Sequence, residues 1–325
     1  MNRREVMIGA SALAMSTGLS VRLGHAATEF RYAHFSPVSD PNHVTSESFA
    51  EKLSDATGGE YTAKIFPGAQ LGGEIDVVEG ILLGTVDISI PSAASIANWV
   101  PEMNVLNMPF IFRDWDHYTA VSQGEVFDRI VEHAAAKNIR VLGMLTSGAR
   151  HIMTREPLDS FEDLKGRKIR TVQNPVHVAT FNAFGANATA IAYPELYSSL
   201  QTGLVEGGDA ANTNYFTEKF YEVAPHWAQV SWLFYSNFMI MREDKYQALP
   251  AEVQNALTAA GREAGAEHFT RYRASDGEML DKLIAEGVTV KYPDRAPFQE
   301  AAKQVYTEFL TSDAEKELLE LIVNS

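Results

Sequence analysis

From Pro250 to Glu286 the chain carries one unbroken helical pattern, with Gly261, Gly265 and Gly277 as its only weak points. An α-helix rises 1.5 Å per residue, so a run of this length reaches about 50 Å, more than one small domain needs to cover a sheet. Such a helix is better used as a brace across two lobes. A length of 325 residues supports the same division, because a single hydrophobic core stops growing at about 250–300 residues. The segments before it alternate strand and helix. Phe30–Phe35, a helix capped by Asn42 and Tyr61–Phe66 read as a β-α-β unit, which implies a parallel sheet.

The rest of the order follows from turn and capping signals. Glycines 68, 72 and 73 make a tight loop before a helix from Glu74 to Leu83, and Val86–Ile90 reads as a strand that ends in a small, polar PSAAS segment. Asp116–Ala136 reads as one helix and Ile139–Leu145 as a strand. A loop carrying Arg150 follows, then a short helix boxed by Ser160 and Asp163, then a strand from Lys168 to Val172. Asn174–Pro175 starts a further helix. Gly207–Gly208 allow a sharp turn that presents Asp209 and Asn212. Trp232–Met241 is a strongly apolar strand, and Phe298–Val323 a closing amphipathic helix. No internal repeat or low-complexity linker is present, so the lobes must be joined by strands.

Composition excludes several functions. A formal net charge of -15 disfavours nucleic acid. The absence of cysteine excludes thiolate catalysis, disulfides and Cys-based zinc sites, and suits an oxidising compartment. Neither GxGxxG nor the P-loop pattern follows the strands, no HExxH or GxSxG is present, and no histidine pair has metal-ligand spacing. No catalytic residue, cofactor or metal is therefore expected. At the N-terminus a short positive segment, an apolar run from Val6 to Val21 and Gly24-His25-Ala26 form a secretory signal, expected to be cleaved after Ala26 or Ala27. Arg3-Arg4 hints at twin-arginine export.

Against that acidic background, Gly143–Pro175 concentrates six cations: Arg150, Arg155, Lys165, Arg167, Lys168 and Arg170. An arginine at a strand end can grip a carboxylate, because its planar fork donates two parallel hydrogen bonds. The blocks PGAQLGGEIDVVEGILLGTVDI, MPFIFRDWDHY, SGARHIMTREPLDSFEDLKGRKIRTV and YPELYSSLQTGLVEG, in this order, resemble those of substrate-binding proteins of tripartite ATP-independent periplasmic (TRAP) transporters, the DctP-like family.

The resemblance implies an α/β, two-lobed flytrap of the type II-like periplasmic kind, with a long helix spanning both lobes. The signal is expected at 1–26, one lobe at 27–147 plus 236–275 and the other at 148–235 plus 276–325. It also implies that Arg170, in the KIR block, makes a bidentate salt bridge to a ligand carboxylate and that Arg150 adds a contact. Alanine at 210 replaces an asparagine that many relatives carry, and Tyr193 stands where ectoine-binding members place a tryptophan. Tyr193, Trp232 and Tyr235 are candidate walls of the cleft. Asp209, Asn212 and Glu74 complete the candidate ligand set.

The expected function is capture of a small organic acid in the periplasm by a monomer and delivery to the integral membrane subunits of a TRAP transporter. An exported enzyme on the same scaffold, or a binding protein for an ATP-driven importer, are the alternatives.

Overall fold

The computed structural model describes residues 27–325, so the expected signal sequence lies outside the described residues. Nine strands form one sheet: β1 Thr28–Ala33, β2 Tyr61–Phe66, β3 Ile88–Ser89, β4 Ile139–Thr154, β5 Lys168–Thr171, β6 Asn187–Ala190, β7 Gly207–Ala210, β8 His226–Arg242 and β9 Thr289–Lys291. Their order is β2-β1-β3-β8-β4-β7-β5-β6, with β9 beside β8. β1 pairs in parallel with β2 and β3, and β5 in parallel with β6 and β7.

Two long antiparallel strands, β4 and β8, join these two parallel groups. β3 meets the Ile240–Met241 end of β8, while β7 meets the His151–Thr154 end of β4. Both long strands are almost wholly buried, as expected of apolar strands covered on both faces. They are the structural connection between the lobes.

The long helix is continuous from Ala251 to Ala285. Two of its three glycines are not weak points but contact points. A Cβ on Gly261 would stand 2.6 Å from the Leu142 carbonyl oxygen, and one on Gly265 2.6 Å from that of Met144. Across the contact, a Cβ on Gly143 of β4 would lie 2.3 Å from the Gly261 oxygen. Helix backbone and strand backbone therefore touch, which only glycine permits. Gly277 has nothing within 4 Å of its would-be Cβ.

Three expected elements differ in extent. The Arg150 loop is instead strand, because β4 continues through Ser147-Gly148 to Thr154. The pairing absorbs the extra residues as a register shift between Thr146 and Ala149, and Gly148 takes a positive φ of 73°. The expected helix at Asp116–Ala136 is two helices, Trp115–Gln123 and Glu125–Ala135, because Gly124 is extended between them. The closing helix is likewise two, Ala296–Phe309 and Asp313–Asn324, the second boxed by Ser312 and Glu315.

The glycine contact makes a paired prediction. Gly261→Ala should lower stability by about 1–3 kcal/mol through overpacking, whereas Gly277→Ala should raise it by up to about 1 kcal/mol through helix propensity. Denaturant unfolding of the two variants measures both. Equal effects would contradict backbone contact at Gly261.

Candidate functional site

Side chains alternate along a strand, so the β4 and β8 faces carry different residues. Arg150 and Tyr235 share one face, and Ala149, His151 and Phe234 line the other. β7 brings Asp209 to the Arg150 face and β5 brings Arg170. Close strand approach at β7 again depends on glycine, since a Cβ on Gly207 would sit 2.5 Å from the Met153 oxygen.

The two arginines are in different states. Arg150 is spent: its Nε donates to Asp209 Oδ2 at 2.9 Å, its Nη2 donates to the Asp209 main-chain oxygen at 2.6 Å, and its guanidinium lies 4.8 Å from the Tyr235 ring centroid. Arg170 is only 1% exposed, yet its Nε donates solely to the Ile191 carbonyl oxygen, at 2.8 Å. Its guanidinium lies 5.8 Å from the Tyr193 ring centroid, and its buried Nη1 has no partner. Among the described residues no carboxylate is paired with Arg170.

Electrostatics follows from this arrangement. Burial works against ionisation of Asp209, but the Arg150 charge and hydrogen bond outweigh it, so its carboxyl is held below the usual carboxylate range. The pair is internally neutral. Burial pushes Arg170 down from its ordinary value, against the pull of Asp209; a guanidinium nevertheless stays protonated. Arg170 is left as the cation with unspent donor capacity, and a planar carboxylate is the group that matches its fork.

Beside the Arg150 guanidinium, Phe35, Glu74, Ser147, Arg150, Val172, Tyr193, Asn214 and Tyr235 enclose a cavity of about 10 Å³. That is room for about one water, so admission of an organic acid requires the walls to part. Glu74 is braced for a role there: its Oε2 accepts from the Ser92 amide at 3.0 Å, from Ser95 Oγ at 2.6 Å and from Ser92 Oγ. The PSAAS segment thus serves to hold this carboxylate. The Tyr235 hydroxyl and Asp209 Oδ1 are buried without partners.

Two expected site residues are elsewhere. Asn212 is fixed by Trp227 Nε1 and Gln229 Nε2, each donating to its Oδ1 at 2.7 Å, and it faces a separate cavity of about 320 Å³ with His151 and Ser231. Trp232 is fully buried core, edge-on to His177 at 5.0 Å and to Phe181 at 5.3 Å between ring centroids. Phe35, Ser147, Val172 and Asn214 were not singled out by the sequence reading. Asn214 is two residues beyond Asn212 in a short helix, roughly 200° around it, so the two amides face different ways and the run itself does not say which faces the cleft. Arg155, Lys165 and Lys168 are exposed, and Arg167 donates to the Glu156 and Pro157 carbonyls.

With this geometry in hand, the comparisons with known proteins are specific. Residues 32–313 match the family model of bacterial extracellular solute-binding proteins, family 7 (DctP). The chain belongs to that family. It is 29% identical over 278 residues to the 2,3-diketo-L-gulonate-binding periplasmic protein of Escherichia coli strain K12, covering 85% of each. Its fold is similar to that of a TRAP periplasmic solute-binding protein from Xanthobacter autotrophicus Py2 with bound β-D-galacturonate, at TM-score 0.89 and 28% identity over 91% of this chain and 99% of that one. A second, from Pseudomonas putida F1 with bound D-glucuronate, gives TM-score 0.87 and 30% identity over 90% and 96%. The two-lobed flytrap is thus the fold class, and the family consists of binding proteins rather than enzymes.

Removing Asp209 would strand the buried Arg150 charge. Asp209→Ala should cost about 3–5 kcal/mol in urea unfolding; a cost under about 1 kcal/mol would show that the pair is not buried as described.

Proposed function

We propose that the protein captures a sugar acid or a similar small hydroxy acid outside the cytoplasm and hands it to a TRAP-type secondary transporter. The observation that carries this is the buried Arg170 guanidinium with an unpartnered Nη1, beside an Arg150 whose charge is already spent on Asp209. A ligand carboxylate completes the hydrogen bonding of Arg170. The hydroxyls of a sugar acid suit the remaining groups: Glu74 and Asp209 accept from them, and the Tyr235 hydroxyl can donate or accept. Uronates bound to similar structures from Xanthobacter autotrophicus and Pseudomonas putida favour the same ligand class.

The lobes in this reading are 27–147 plus 236–275 and 148–235 plus 276–325. The register shift between Thr146 and Ala149 falls at that boundary, where Gly148 takes the positive φ that the bulge requires. Residues 1–26 act as the export signal and the mature chain works in the periplasm; no described helix is long and apolar enough to cross a membrane. Ligand contacts from both lobes favour the closed form, because a ligand shifts an equilibrium only through differential affinity.

Truncating one partner of a buried charge pair costs about 2–5 kcal/mol. Arg170→Ala should therefore weaken binding of D-glucuronate or D-galacturonate by roughly 30-fold or more in calorimetry, and Arg170→Lys, which lacks the fork, should restore only part of it. Unchanged affinity in Arg170→Ala would remove this assignment.

A further inference from the structure

Beside the cleft, Asp40 is fully buried and Glu218 partly buried, and among the described residues neither is salt-bridged to a cation. Asp40 follows β1 and caps the Pro41–Ala56 helix, its Oδ1 accepting the Asn42 amide at 2.8 Å. Its Oδ2 accepts from Asn214 Nδ2 at 2.7 Å. Asn214 belongs to the Asn212–Thr217 helix that follows β7, so this hydrogen bond ties the β1 end of the sheet to the β7 end. The Tyr272 hydroxyl of the long helix donates to Asn214 Oδ1 at 3.0 Å and completes the tie. Close by, Tyr193 donates to Glu218 Oε1 at 3.4 Å and packs edge-on against Phe35, 5.5 Å between centroids. Phe35, Tyr193 and Glu218 border a cavity of about 160 Å³ at this entrance.

We propose that Asp40 and Glu218 form a proton-operated latch between the lobes, so that the cleft closes more readily when the two carboxyls are protonated. The partners of Asp40 are amides and that of Glu218 is a phenol. Around them stand Tyr272 and Asp276 of the long helix and Tyr193, and near those two tyrosines lie Arg150, whose charge is matched by Asp209, and, beside Tyr193, Arg170, whose charge is not. On the other side of Asp40, His43 bonds His34 at 3.0 Å and pairs with Glu47 at 3.5 Å. Burial, then His43, holds His34 down to about 4, so it stays neutral at neutral pH.

Closing the cleft withdraws both carboxylates from water and sets like charges near one another, and a proton relieves both penalties.

The direction of the effect follows from the burial. Burial, opposed by its amide hydrogen bonds, raises Asp40 to about 6; burial and then the Asp40 charge raise Glu218 to about 7. In an open, solvated cleft both return towards ordinary carboxylate values near 4. Closure therefore takes up protons, is favoured as pH falls through 7 and 6, and is opposed above that range. In the sugar-acid reading the ligand's own carboxylate stays ionised across this window, so the latch acts apart from the clamp.

The chain has no cysteine, so two can be introduced cleanly as spin-label sites. Leu83→Cys and Leu204→Cys use positions 77% and 61% exposed, one in each lobe. In the mature protein without ligand, the short-distance population should rise roughly tenfold or more between about pH 8 and about pH 5. Asp40→Asn with Glu218→Gln should remove that response. Glu218→Gln alone, at a partly exposed position, should remove its upper portion, nearest pH 7. A distance distribution indifferent to pH, or a response that survives in the double variant, overturns the latch. The proposal rests on the two-lobed reading but not on the ligand, so a failed ligand screen leaves its test intact.

Discussion

Burying a guanidinium costs free energy unless its charge and donors are matched, and the cleft leaves one such group incompletely matched. Arg150 shows what a matched arginine looks like here: two hydrogen bonds to one aspartate residue and a tyrosine ring against its face. Arg170 has one backbone acceptor, one ring and an unpartnered Nη1. In the proposed reading the missing partner is the carboxylate of the cargo. In that reading the carboxylate completes the hydrogen bonding of Arg170, and water can do so when the cleft is open. Affinity and closure thus draw on the same unsatisfied group.

The frame that holds this group is fixed at several points along the long helix. The long helix meets β4 backbone to backbone at Gly261 and Gly265, which fixes the helix to the β1 end of the sheet. Further along, Tyr272 and Asp276 of the same helix bond to Asn214, Asn212 and Thr213 beyond β7. Between these anchor points lies the Ser147-Gly148 bulge. A Cβ on Gly148 would stand 2.7 Å from Tyr272 and 2.8 Å from Ala211, so the bulge is both glycine-dependent and tightly packed.

Much of this was legible in the sequence. The unbroken helical run predicted the long continuous helix, and the cluster of cations held Arg170, which the fold buries with an unpartnered Nη1. The illegible parts have physical causes. Ser147-Gly148-Ala149 reads as a loop because its residues are small and turn-prone, yet opposite β8 it is a bulge inside a continuous strand. Trp232 reads as a wall because aromatic residues serve in both walls and cores; its packing on Phe181 and His177 decides for the core. Asp209 was read as a ligand acceptor, whereas most of its hydrogen bonding goes to Arg150 and only Oδ1 remains. Pairings of this kind depend on contacts between distant positions, which local patterns do not encode.

In the proposed reading, recognition turns on the negative charge of the cargo, matched to Arg170. The most direct measurement is calorimetric titration of the mature protein with D-glucuronate and with D-glucose, which differ at the carboxylate alone. The account predicts binding of the acid and at least about 30-fold weaker binding of the neutral sugar. Equal affinity for the two would contradict it.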